Sequence, residues 1–173
     1  RKGHNQDLNV STGSFNTQKI DLNFDGKNNN YDYFVGFTNF SNEGESAMRD
    51  NPEEKDGYRS DSLTMNYGYN FNENFRVENY LYYNDSLLEY DSVNGSLNDV
   101  EATDDQQAIY TGRLINTNGS FKNTLSYNNT YSLRNTTGND KKNYYGYRDA
   151  INLVSEYNFD LDNRIIIGFD NEF

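Results

Sequence analysis

The chain has no cysteine and no tryptophan, one proline, one histidine, and 15 Lys+Arg against 27 Asp+Glu. Each shortage excludes something. Without cysteine there are no disulfides, no thiolate metal sites and no Cys nucleophile. His4, the sole histidine, stands at the start of the chain, so no His-based triad or zinc cluster can be assembled. Paired carboxylates fall in stretches that read as loops, and no enzymatic activity is expected. The formal net charge of −12 argues against a nucleic-acid partner, because phosphate binding relies on Lys and Arg to release counterions. No apolar run approaches the roughly 20 residues of a spanning helix. Pro52 lies in an acidic stretch and marks a loop.

Apolar residues are scarce as well, at 34% of the chain against a usual share of roughly 45–50%. That deficit alone would suggest disorder. The 16 Tyr and 11 Phe contradict it, being far too many for a solvated tail. A chain poor in apolar residues but rich in rings still folds if it buries one face, which is the signature of strands. The 173 residues fit one domain. The start, Arg1-Lys2-Gly3-His4, is neither a signal peptide nor an initiator Met, and residues 1–173 are expected to be one partial domain cut from a longer protein.

The dominant pattern has period two. From Ser62 to Phe71, Leu63, Met65, Tyr67, Tyr69 and Phe71 alternate with Ser62, Thr64, Asn66, Gly68 and Asn70. A helix would scatter these residues around its circumference, so the stretch is a strand. Similar rows run through Ile20, Leu22 and Phe24; Tyr31, Tyr33, Val35 and Phe37; and Phe75, Val77, Leu81 and Tyr83. Later rows are Ala108, Tyr110 and Leu114; Phe121, Leu125, Tyr127, Tyr131 and Leu133; Tyr147, Ile151, Leu153, Tyr157 and Phe159; and Ile165, Ile167 and Phe169. With a weaker strand at Leu8, Val10 and Thr12, roughly nine strands are predicted.

Tight turns are expected at Asp25–Asn28, Asn72–Asn74, Asn118-Gly119 and Asp160–Asn163, all rich in Asn, Asp or Gly. Long polar loops are expected at Ser41–Gly57, Asp85–Asp105 and Asn135–Asn143, with most of the charge in them. Short turns at one end and long loops at the other describe an all-β, antiparallel up-and-down meander. Strands of about ten residues with one apolar face and aromatics near their ends match a segment of a transmembrane β-barrel. In hydrocarbon every backbone N–H and C=O must pair with a neighbouring strand, while the inward face stays polar. A soluble β-sandwich or lipocalin-like barrel also alternates, but its polar faces usually carry many Lys and Glu. Here they carry mostly Asn, Ser, Thr, Gly and Tyr.

Asp21-Leu22-Asn23-Phe24-Asp25-Gly26, with Asp32 in the twelfth place, imitates a calcium-binding loop. Its flanks alternate as strands instead of forming the required helices, so it reads as a hairpin turn. The acidic loops are a better cation candidate. Glu43, Glu45, Asp50, Glu53, Glu54 and Asp56 crowd the first long loop, and Asp85, Glu89, Asp91, Asp99, Glu101, Asp104 and Asp105 the second. Brought to one rim, they would suit Ca²⁺, which takes six to eight oxygen ligands.

Asp56-Gly57-Tyr58, Tyr67-Gly68-Tyr69-Asn70-Phe71-Asn72, Tyr90-Asp91 and Gly168-Phe169-Asp170, with the order of strands, turns and loops, resemble the early barrel of a TonB-dependent outer-membrane receptor, nearest the cobalamin receptors. The resemblance implies roughly nine strands of an about 22-stranded barrel in the outer membrane of a Gram-negative bacterium. Its plug domain and remaining strands would lie outside this chain. It implies active import of a large scarce nutrient, cobalamin-like or a siderophore complex. The expected partners are outer-membrane lipid, that nutrient ligand, and TonB acting through the absent plug. In the cobalamin subgroup two loops bind calcium. By position this implies Glu54, Asp56, Tyr90, Asp91 and Asp99 as candidate Ca²⁺ ligands, with no other cofactor; Glu54 stands where the family has Asp. The alternative from a different class is a small complete outer-membrane barrel acting as a passive pore, adhesin or structural protein.

Overall fold

The structure, a computed structural model, describes residues 3–45, 55–91, 100–137, 142–160 and 163–173. Nine strands follow one another: β1 (Gly3–Gly13), β2 (Thr17–Lys27), β3 (Tyr31–Asn42), β4 (Tyr58–Asn70), β5 (Phe75–Asp91), β6 (Val100–Asn118), β7 (Phe121–Thr136), β8 (Lys142–Asn158) and β9 (Arg164–Glu172). They form one antiparallel sheet in sequence order. The backbone of each strand packs only against its neighbours in that order, so no second layer covers either face among the described residues.

The register decides which side chains share a face. Leu8 pairs with Leu22, Leu22 with Phe37, Phe37 with Leu63, and Leu63 with Tyr83. Tyr83 then pairs with Ala108, Ala108 with Tyr131, and Tyr131 with Tyr147. Lower in the sheet Leu114, Leu125, Leu153 and Phe169 are consecutive partners. Paired residues project to the same side, so the apolar rows of all nine strands lie on one face.

That face has no core beneath it. Among the described residues, Ala150 is the one buried hydrophobic residue, while Leu8, Val10, Phe24, Met65, Leu114, Leu125, Leu153, Ile167 and Phe169 are exposed. The whole chain exposes 12094 Å². A folded soluble monomer of 20.1 kDa would expose about 8,700 Å².

The connections at one end are residues 14–16, 43–57, 92–99 and 137–141; those at the other are uniformly short, residues 28–30, 71–74, 119–120 and 159–163. Three of them are closed by an Asx side chain. The Asn28 Oδ1 accepts from the Asn30 and Tyr31 amides, the Asn72 Oδ1 from the Asn74 amide, and the Asp160 Oδ1 from the Asn163 amide. The two-residue turn after Asn118 uses Gly119 at φ +57°, where glycine carries no Cβ penalty.

The predicted boundaries need correction. β2 runs through Asp25 and Gly26 to Lys27, so the first short turn is 28–30 and not 25–28. β5 continues to Asp91 and β6 begins at Val100, which places Asp85, Glu89, Asp91, Glu101, Asp104 and Asp105 on strands instead of in a loop. Likewise β7 and β8 reach Thr136 and Lys142. Ladder hydrogen bonds are made by the backbone, so pairing continues beyond the last apolar side chain.

Candidate functional site

The opposite face carries the polar side chains, and charge is found there as well as in the loops. Every strand-to-strand ion pair among the described residues lies on it. Arg76 of β5 makes two bonds to the Asp32 carboxylate of β3, at 2.9 and 3.0 Å, and one to Glu78 at 2.8 Å. Arg113 approaches the same Glu78 at 3.7 Å. Lys19 meets Asp21 at 2.9 Å, Lys122 meets Glu156 at 3.6 Å, and Arg148 meets Glu172 at 2.7 Å. Between these pairs an amide and hydroxyl row crosses four strands, from Thr111 through Asn128 and Asn152 to Asp170. Lys19–Asp21 and Arg76–Glu78 are neighbours along one strand; the other partners lie far apart in sequence and are brought together by register.

Toward the long-connection end, four strands frame a groove of about 710 Å³. Its floor is a grid of polar-face residues set by the register. Asn84, Gln107, Ser132 and Gly146 make one row across β5–β8; Ser86, Asp105, Arg134 and Tyr144 make the next. The Arg134 guanidinium grips Asp105 with two bonds at 2.6 and 3.1 Å, a planar pairing of fork and carboxylate. Gly146 sets the depth, since a Cβ there would strike the Ser132 hydroxyl. The Tyr144 ring is 56% exposed beside it.

Besides Asp61, Asp85 and Asp104, which share the apolar face toward the long-connection end, Asp149 of β8 sets a carboxylate among the apolar rows. Asp149 is buried, accepting from the Tyr127 hydroxyl at 2.5 Å and the Asn129 amide at 3.0 Å. Burial of a charge demands such partners.

The five candidate calcium ligands fare unequally. Glu54 and Asp99 lie outside the described residues, and Asp91 is placed only as the last residue of β5. Asp56 and Tyr90 are brought near each other: the Glu89 amide donates to the Gly57 carbonyl at 2.9 Å, extending the β4–β5 ladder. The Tyr90 hydroxyl accepts from Thr103 at 3.4 Å. The buried Asn42 Oδ1 close by has no hydrogen-bond partner in the structure, which adds an oxygen donor. Among the described residues, however, no three His, Cys, Asp or Glu side chains converge as a metal site. These donors alone do not make a calcium site. The calcium-loop look-alike is dissolved too: Asp21–Gly26 is strand, and Asp32 is committed to Arg76.

No family model, curated protein or solved structure compared with the chain matches it. Arg134, Gln107, Ser132 and Tyr144 were not visible as a group in the sequence. Counting the period-two parity on through the polar stretches 101–107 and 132–146 would have placed them on one face.

Proposed function

We propose that this chain forms part of the wall of an outer-membrane β-barrel that imports a large, scarce nutrient by TonB-coupled transport. The observation that carries the barrel is the division of the two faces. All nine apolar rows share one uncovered face, and every strand ion pair lies on the other. A soluble sheet would cover its apolar face; hydrocarbon does so here, and the ion-paired face lines water.

The aromatic residues give the dimension. At the short-turn end Phe71 stacks between Tyr69 and Phe75 with centroids at 4.9 and 5.6 Å, and Phe121 and Tyr157 approach to 4.5 Å. Toward the other end Tyr131 meets Tyr145 edge-on at 5.6 Å. From Phe121 to Tyr131 on β7, and from Tyr157 to Tyr147 on β8, is ten residues. At roughly 3.4 Å per residue and a tilt of roughly 45°, that is about 24 Å, the height of the lipid-facing band of such barrels. The barrel's larger size, about 22 strands, and the cobalamin-like or siderophore cargo are supported by the resemblance of Asp56-Gly57-Tyr58, Tyr67–Asn72, Tyr90-Asp91 and Gly168-Phe169-Asp170 to TonB-dependent receptors.

This chain has no cysteine, so the test needs only a full-length background from which any cysteine elsewhere has been removed. Single cysteines placed at positions 62 to 69 in the full-length protein in vesicles should alternate. Odd positions should be quenched by lipid-borne probes, and even positions should react with a membrane-impermeant maleimide once the lumen is open to it. Water-soluble reagent reaching Leu63→Cys and Met65→Cys as readily as Thr64→Cys would overturn the reading.

A further inference from the structure

We propose that the groove across β5–β8 binds a neutral, hydroxyl-rich solute of the carbohydrate type, with Tyr144 as the stacking platform. The proposal takes the polar face to be the lumen wall and so rests on the reading above. Its volume, about 710 Å³, lies within the roughly 300–1,000 Å³ of small-ligand sites.

Three features select the chemistry. First, the floor is electrically balanced. Arg134 and Asp105 neutralise one another through two hydrogen bonds, leaving no uncompensated charge in the lining to recruit an anion or cation. Second, Gln107, Ser132, Thr136 and Tyr144 line the groove, and their side chains have no hydrogen-bond partner among the described residues. Amide and hydroxyl groups both donate and accept. A hydroxyl does the same, so a polyol matches such a surface without leaving a charge unpaired. Third, Tyr144 exposes its ring beside the amides and hydroxyls of the floor, with Leu133 and Tyr145 also in the lining. A pyranose presents one face of C–H bonds, which lies against an aromatic plane while its hydroxyls reach the amides at the edge. Gly146 supplies the depth for this, because any side chain there would meet Ser132.

The probes are maltohexaose and cellohexaose, with hexagalacturonate as the charged control. They are titrated onto the full-length protein in detergent, and binding is followed by isothermal titration calorimetry. At least one neutral probe should bind saturably, and the hexagalacturonate should bind more weakly. Tyr144→Ala should weaken binding by about fivefold or more, and Tyr144→Phe by no more than about twofold. Gly146→Leu should abolish it by filling the groove. Absence of saturable binding by both neutral probes overturns the proposal. So does equal or tighter binding of hexagalacturonate, or unchanged affinity in both Tyr144→Ala and Gly146→Leu. Lipid quenching at Leu125→Cys against Ser126→Cys is measured on the same preparations. If quenching alternates and sugar binding fails, the ligand class alone is wrong; if neither holds, the barrel reading falls with it.

Discussion

Arg76 shows how a single residue organises the polar face near the short-turn end. It stands over Gly68, where a Cβ would collide with its guanidinium, and it holds Asp32, Glu78 and Asn70 at once. Arg76→Ala should destabilise the protein by about 1–2 kcal/mol, a modest figure because both carboxylates are partly exposed. Gly68→Ala should also destabilise, by displacing the same guanidinium. In a double-mutant cycle measured by urea unfolding, Gly68→Ala should be nearly neutral once Arg76 is already alanine. Additive losses would show that the glycine acts through backbone freedom instead.

A second residue, Glu43, ties the long-connection end together. Its amide donates to the Phe15 carbonyl at 2.9 Å, its carboxylate accepts from Asn16 at 2.8 Å, and it pairs with Lys55. The hydrogen bond from Lys55, then that from Asn16, holds its carboxyl below the ordinary value of 4.5. A lowered folded-state value means that the tie is fully present above the ordinary pKa and is lost as pH falls through the lowered one. Acid should therefore loosen the base of the long connection. Glu43→Gln should reduce the loss of stability between neutral pH and pH ~3, read as a smaller shift in the urea midpoint.

Among the elements, β7 provides the cleanest contrast between faces. Leu125 belongs to the apolar row and Ser126 to the polar one, one residue apart on the same strand. On the proposed barrel reading, Leu125→Arg sets a charge against hydrocarbon near mid-height and should cost roughly 2–4 kcal/mol, whereas Ser126→Arg should be tolerated. Folded yield from liposome refolding distinguishes them, and equal tolerance would place both faces in water. The strands were legible in the sequence for the same reason: a period of two is enforced wherever one face meets an apolar medium. Where the pattern was obeyed, as in Ser62–Asn70 or Phe121–Leu133, the elements appear as expected. Legibility failed beyond the apolar band. Asp85–Asp91 and Glu101–Gln107 carry polar residues on both faces and read as loop, yet the ladder continues through them. The groove was hidden for that reason, since Asp105 and Arg134 meet only through β6–β7 register, 29 residues apart. At Asp25-Gly26 the composition of a turn occurs inside β2. There Gly26 is needed because His4 and Tyr33 close over it, and no local signal reveals a cross-strand neighbour.

On the scale of the whole molecule, the difficulty is the two edges. β1 pairs only with β2 and β9 only with β8 among the described residues. In a meander, odd-numbered strands run the same way, so closing β9 onto β1 would demand one parallel pair in an otherwise antiparallel barrel. Bacterial single-chain barrels instead use an even number of antiparallel strands. An unpaired edge in hydrocarbon leaves a row of N–H and C=O groups without partners, and an exposed one in water templates association. The apolar β9, with Ile165, Ile166 and Ile167 all exposed, is the more hazardous of the two. On the proposed barrel reading, further strands on both sides would resolve the conflict and a nine-strand closure would not. Residues 1–173 produced alone and refolded into detergent should therefore associate and show no compact band on unheated gels that shifts on boiling. A heat-modifiable monomer of this length would mean that the sheet closes upon itself. The small complete barrel would then replace the transporter wall.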